Sequence, residues 1–402
     1  PTDGFVVDKL REILNISHVK SAKLLLSDLE FRAGNFKIAY DLLKVHYTKP
    51  GQLLQFAQHA TNAKAYDIAL AVFSDIIEGE FKVEVIRSAI YGMAQTLEIQ
   101  SIKTESLLPL SRFFDGNEFF ESPYYTVEES LLPSLWKAVS IYDSLRINDG
   151  NLDATYRLAE IKFRAMNDLD GAFLLYEKVA QKAAKMDFRF LAALRIIDIS
   201  LAKGDTKNAL DQIKSFKRNF RKGDEKLILK IKESQVNFYA GEFQAAGDSL
   251  IQVLKNLPKD SHRYNDLLDV QSIILAFTDE SEAFNNFAQI QLLIRQNKRT
   301  QALENLSAMI NVENNFIREL SLYQIAYLHV LQNEYKLATQ KLNLVAGETI
   351  FTEMSLILHA EILDYLLGEV GSAIDLYLKF LENYPLSIYY DDIRLRLREL
   401  AS

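Results

Sequence analysis

The sequence predicts an all-α solenoid of antiparallel helix pairs, on three observations. A short phrase recurs along the chain at near-constant spacing. Turn-forming residues are scarce: 15 Gly and 7 Pro in 402 residues are too few for a β-sandwich or barrel with many tight turns. The length also exceeds what one hydrophobic core usually serves, so several domains or one repeat array is expected.

The phrase is a turn residue, then an aromatic or aliphatic residue, then Ala, then a bulky apolar residue four positions on. It reads Gly34-Asn35-Phe36-Lys37-Ile38-Ala39 with Leu43, and Tyr66-Asp67-Ile68-Ala69 with Phe73. It returns at Asn167 to Ala172 with Tyr176, at Gly204 to Ala209 with Ile213, and at Gly241 to Ala246 with Leu250. Weaker copies end at Ala302 with Leu306 and Ala338 with Leu342, and the last runs from Gly368 to Ala373 with Tyr377. From Ala172 onward the intervals are 37, 37, 56, 36 and 35 residues, so the 56-residue step holds about one extra helix, near 262–278. Ala39 to Ala69 is a shortened interval of 30.

Each position has a physical reason. Gly and Asn tolerate the left-handed conformation that ends a helix. Ala lets two antiparallel helices cross closely. The residue four later lies on the same face and fills the space toward the next pair. Pro258 and Pro385 each follow the Ala by twelve residues, where the second helix must stop. One pair cannot bury its own apolar face, so neighbouring pairs must stack.

Composition bounds the function. The net charge of −8 gives no reason to bind nucleic acid or anionic lipid. No apolar run reaches the roughly 18 residues of a membrane span, so membrane association is expected only through a partner or an N-terminal anchor beyond this sequence. Pro1-Thr2-Asp3-Gly4-Phe5 is not a signal peptide and no initiator Met is present, as expected of a chain trimmed from a longer one. The absence of Cys excludes disulfides, thiolate zinc sites and cysteine nucleophiles, and is compatible with an oxidising compartment or with the cytoplasm.

No catalytic motif stands out, and neither a cofactor nor a metal is expected. His18, His46, His59, His262, His329 and His359 nowhere pair at i, i+3 or i+4. There is no phosphate-binding Gly-rich loop and no Gly-x-Ser-x-Gly elbow. Glu128-Glu129 and Asp391-Asp392 are adjacent and would not face one another on a helix. Lys214, Lys217, Arg218, Arg221 and Lys222, with Phe216 and Phe220 between them, read as a solvated helix end, or else as an anion contact.

The chain resembles the tetratricopeptide repeat family over about 20–95 and 150–386, and the resemblance implies a right-handed superhelix. The small residue that the family carries in its first helix is matched at Ser27, Ala57, Ser234 and Ala326, and its first-helix aromatic best at Tyr156. Residues 380–394, FLENYPLSIYYDDIR, resemble the ending of tetratricopeptide proteins of bacterial envelopes. Organisation follows: N-terminal helix pairs at 1–99, an irregular aromatic segment at 100–126, the main array at 127–386, and a capping helix at 387–402 whose Asp391 and Asp392 suit a helix N-terminus.

By this resemblance the chain is a non-enzymatic scaffold, a subunit of a hetero-complex that is periplasmic or envelope-associated. The alternative is a helical-repeat enzyme or regulator with a ligand site inside the array. The first helix of each pair would line the concave face. The carry-over gives Leu191, Leu194, Asp198 and Leu201; Ile228, Ile231, Gln235 and Phe238; Leu320, Tyr323, Tyr327 and Val330; and Ser355, Leu358, Ile362 and Tyr365. Of these, Leu194, Ile231, Phe238, Tyr323, Tyr327, Leu358 and Tyr365 are the expected partner contacts, as an apolar groove suits a partner helix or peptide. Phe113, Phe114, Phe119 and Phe120, with the Tyr124-Tyr125 doublet and the acids Asp115, Glu118 and Glu121, admit two readings. They enter a partner, or they fold back and plug the groove, which the cost of exposing large aromatics favours.

Overall fold

The computed structural model describes residues 6, 8, 9, 11, 12, 20–44, 50–103, 108–114, 116–220, 223–277 and 280–401. The expectations on Pro1 to Phe5, His18, His46, Asp115, Arg221 and Lys222 lie outside the described residues. The described chain is an all-α solenoid: twenty α-helices in successive packed pairs, with one two-residue ladder.

The residues form two compact units, 1–104 with 125–175, and 105–124 with 176–402. The division thus falls at 175/176 rather than near 126, inside a helix that continues without a break. Composition marks 100–126 as irregular, yet its two ends pair with each other: Ile102 with Val127 and Lys103 with Thr126. That ladder closes the base of the segment within the first unit.

In the first unit lie α1 (Lys20–Arg32), α2 (Phe36–Lys44), α3 (Pro50–Asn62), α4 (Tyr66–Glu78), α5 (Val83–Ser101), α6 (Leu132–Asn148) and α7 (Leu152–Arg164). The next helix, α8 (Leu169–Lys182), spans the division. The second unit continues with α9 (Met186–Ala202), α10 (Thr206–Asn219), α11 (Gly223–Tyr239), α12 (Phe243–Leu254), α13 (His262–Ala276), α14 (Ser281–Arg295), α15 (Arg299–Met309), α16 (Asn315–Leu331), α17 (Tyr335–Leu342), α18 (Ile350–Glu361), α19 (Val370–Asn383) and α20 (Tyr390–Leu400). A π-helical turn, Ile362–Leu367, prolongs α18. The 56-residue interval is occupied by α13.

The repeated phrase has one local geometry. A residue with positive φ stands five positions before each key Ala: Gly34, Lys64, Asn167, Gly204, Gly241, Asn297, Asn333 and Gly368. In each turn the following N–H reaches back to a carbonyl of the preceding helix, as in Asp205 N to Ser200 O (2.9 Å) and Glu242 N to Asn237 O (2.9 Å). Seven of the eight turn residues are Gly or Asn; the eighth, Lys64, holds φ 62° despite its side chain. The key alanines are fully buried. Twelve residues before two of them, Ser27 and Ser234 donate to Ala39 O (2.7 Å) and Ala246 O (2.8 Å), which ties the two helices of a pair where they cross. Side-chain caps start several helices, as at Asn151, Asp205, Asn314 and Thr349.

The last helix closes the second unit. Asp391 and Asp392 lie in the first turn of α20, and Ile393 is buried against Tyr377 and Phe380. Arg396 grips the buried Asp364 with two hydrogen bonds, 2.8 and 2.9 Å.

Candidate protein-binding groove

In the second unit the first helices of the pairs, α9, α11, α14, α16 and α18, share an inner face. It is not open. Residues 108–124 lie along it, folded into two turns closed by Gly116 N to Arg112 O (2.6 Å) and Glu121 N to Asn117 O (2.8 Å). The turns bring four phenylalanines together, with Phe113 and Phe120 stacked at 6.2 Å between centroids and Phe114 edge-on to Phe120 at 5.8 Å.

Each pair of rings enters its own aromatic setting. Phe113 meets Phe351 at 5.3 Å, and Phe114 meets Tyr323 at 6.0 Å and Tyr327 at 6.2 Å. Phe119 and Phe120 meet Phe238 at 5.5 and 6.0 Å, and Phe120 also meets Phe287 at 6.3 Å. All four phenylalanines are buried. Burial of a Phe side chain contributes about 1.5–3 kcal/mol, so these rings dominate the hold on the segment.

Groove side chains fix the segment's main chain at two places, and the segment's own side chains hold the groove in return. The carboxylate of Glu361 accepts from Leu110 N (2.7 Å) and Ser111 N (2.9 Å). Three donors surround the Phe119 carbonyl: Gln235 Nε2 (2.8 Å), Tyr239 Oη (2.8 Å) and, at 3.5 Å, Arg295 Nη2. Asn117 donates to Asp266 O (3.0 Å), Tyr124 Oη donates to Arg295 O (3.0 Å), and Arg263 pairs with Glu118 (2.7 Å).

Beneath the Phe119 carbonyl is a buried charged floor. Asp198 receives Lys232 at 2.7 Å and has Arg195 and Arg295 at 3.2 and 3.7 Å. Burial pushes the Asp198 carboxyl up, but Lys232, Arg295 and Arg195 outweigh it and hold the group well below the usual carboxylate range. Lys232 also donates to Gln235 Oε1 (3.0 Å), which orients the amide toward Phe119. At Glu361 burial prevails and raises the pKa, with the Ser111 hydroxyl and the two backbone N–H groups opposing it. Burial pushes the Tyr124 hydroxyl up to about 12.

The expected contact residues therefore separate. Ile231, Phe238, Tyr323, Tyr327 and Leu358 are buried, and Leu194 is half-buried against the same core. Phe238, Tyr323 and Tyr327 touch the chain's own Phe113, Phe114, Phe119 or Phe120, so in this arrangement neither set is open to a partner. The physical reason is the segment's own apolar surface, which finds the nearest apolar face. Tyr365, 40% exposed, lies outside this set, beneath Arg396 at 4.6 Å. The Tyr124-Tyr125 doublet is divided: Tyr125 belongs to the first unit, where the Arg164 guanidinium lies 3.7 Å from its ring.

Sequence reasoning missed Lys232, Tyr239, Arg295 and Glu361. One weak signal existed for Glu361: it stands twelve residues before Ala373, where four of the other seven copies carry Ser27, Ala57, Ser234 and Ala326 and the rest Glu160, Ile197 and Ile290. Lys214 pairs with Asp211 at 3.3 Å, Lys217 pairs with Glu233, and Phe220 is buried. Among the described residues no group of three or more His, Asp or Glu is placed to hold a metal ion, and no helix is long and apolar enough to cross a membrane.

No family model matches the chain, and no curated protein is similar to it. Among solved structures it is similar to the tetratricopeptide domain of P58(IPK), at 13% identity and a TM-score of 0.25, covering 98% of this chain and 91% of that one. It is also similar to yeast Tom70, at 14% identity and a TM-score of 0.27, with the same two shares. Scores this low carry no argument, and the fold rests on the helix pairs and their turns.

Proposed function

We propose that the chain is a non-enzymatic protein-binding scaffold, a subunit of a hetero-complex, which receives a segment of a partner on the concave face of its second unit. The observation that carries this reading is the Phe119 carbonyl held by Gln235, Tyr239 and Arg295 between two aromatic settings. Side chains of a helical face that grip another segment's main chain are equipped to hold a polypeptide whatever its source. The envelope setting is supported by the resemblance of residues 380–394 alone, and fractionation of the native cells tests it: recovery in the cytoplasmic fraction contradicts it.

The binding reading is tested on a variant whose residues 108–124 are replaced by a Gly/Ser linker of equal length, against displayed random peptides. Selected peptides are expected to bind at one site and to weaken about tenfold in the Gln235→Ala/Tyr239→Phe double variant, since two hydrogen bonds of ~0.5–1.5 kcal/mol each are lost. A selection without binders, or with binders indifferent to both substitutions, contradicts the reading.

A further inference from the structure

We infer that residues 108–124 are a built-in occupant of this groove, and that a partner segment carrying two adjacent aromatic pairs four residues apart competes with them for it. The inference rests on the scaffold reading above and names the chemistry of what the scaffold takes.

The pattern is legible in the occupant. Phe113-Phe114 and Phe119-Phe120 are separated by four residues, and each pair has a separate aromatic setting, Tyr323, Tyr327 and Phe351 for one, Phe238 and Phe287 for the other. Glu118 precedes the second pair and meets Arg263. An aromatic pair with an acid before it is therefore the feature a competing segment must reproduce.

Two observations separate this segment from an ordinary piece of core. The first is the charge placed against its main chain. Asp198, Lys232, Arg295 and Glu361 are all buried, and Gln235, Tyr239 and Arg295 each aim a donor at the Phe119 carbonyl. A buried ionic floor stabilises a core poorly compared with apolar packing, but it recognises a peptide group well. The second is the fit at two hydroxyls of the groove, those of Tyr323 and Ser355, which are buried without a hydrogen bond of good geometry. The built-in segment leaves polar groups of the groove unsatisfied, so a segment that satisfies them binds with an advantage.

The test titrates a fluorescein-labelled peptide of residues 108–124 into the linker variant and into the intact chain, reading anisotropy. The linker variant is expected to bind the peptide, the intact chain at least tenfold more weakly, and a peptide with all four Phe replaced by Ala not at all. A linker variant that keeps its helical circular dichroism yet does not bind the peptide overturns the inference. If it still binds display-selected peptides, the scaffold reading stands without it; if it binds none, both fall. Should the linker variant fail to fold, protease sites placed before Leu108 and after Tyr125 of the intact chain free the segment without removing it. Exchange of labelled for resident peptide after cleavage is the result expected, and a cleaved chain that never exchanges overturns the inference.

Discussion

Lys64 holds φ 62° at a turn where every equivalent residue is Gly or Asn. A side chain in the left-handed region strains the backbone by about 1 kcal/mol, so Lys64→Gly is expected to stabilise the first unit by ~0.5–1 kcal/mol in urea unfolding. Unchanged or lower stability would show that the contacts of the Lys64 side chain outweigh the strain. A second residue-scale consequence concerns pH. Burial, and then the neighbouring Asp266 carboxylate, raise Asp269 from 3.8 to about 6. The folded state therefore binds the Asp269 proton more tightly than the unfolded state. The penalty for its charge is absent below about pH 4 and grows as pH rises through 6. Asp269→Asn is expected to be more stable than the natural chain by about 1 kcal/mol at pH 8, after discount for solvent, and equal to it at pH 4. Thermal melts at the two pH values check the sign.

At the scale of elements, the pair turns were legible because Gly, Asn and Ala have few substitutes at a left-handed turn and a close helix crossing. Lys64 was not, since Lys carries no such preference. The single helix α13 accounts for the long interval between Ala246 and Ala302. The groove's polar floor was less legible. Gln235, Tyr239 and Arg295 sit on helices whose apolar spacing is ordinary, and what brings them to one carbonyl is the path of residues 108–124, with Lys232 held behind them on Asp198 and Gln235. Aromatic doublets announce burial, so the cost of exposure favoured fold-back for Phe113, Phe114, Phe119 and Phe120. They give no direction, so the sequence alone did not say which side chains would receive each ring. The capping helix makes its own prediction. Arg396→Ala removes both guanidinium bonds from the buried Asp364, to which the Tyr377 hydroxyl still donates at 3.2 Å. A loss of about 1–3 kcal/mol is expected, with α20 the first segment to exchange its amide protons. Full protection of α20 in that variant would contradict the role given to the Arg396–Asp364 pair.

At the scale of the whole molecule, each unit has cores of its own. The cluster around Phe56, Phe73 and Ala89 belongs to the first, and the cluster around Phe238, Phe287 and Tyr323 to the second. Stacked pairs stabilise mainly their neighbours, so damage should stay local. Phe73→Ala is expected to cost about 3–5 kcal/mol and to speed amide exchange in α2 to α5, while α14 to α18 keep their protection. Uniform acceleration along the chain would mean that the two units unfold as one. The claim on which the rest depends is that the inner face of the second unit holds a polypeptide through the donors now on Phe119. Its most direct measurement is the dissociation constant of one display-selected peptide for the linker variant, with and without Gln235→Ala/Tyr239→Phe. A rise of about tenfold in Kd with the helical circular dichroism unchanged is the predicted result; equal affinity in both proteins would contradict it.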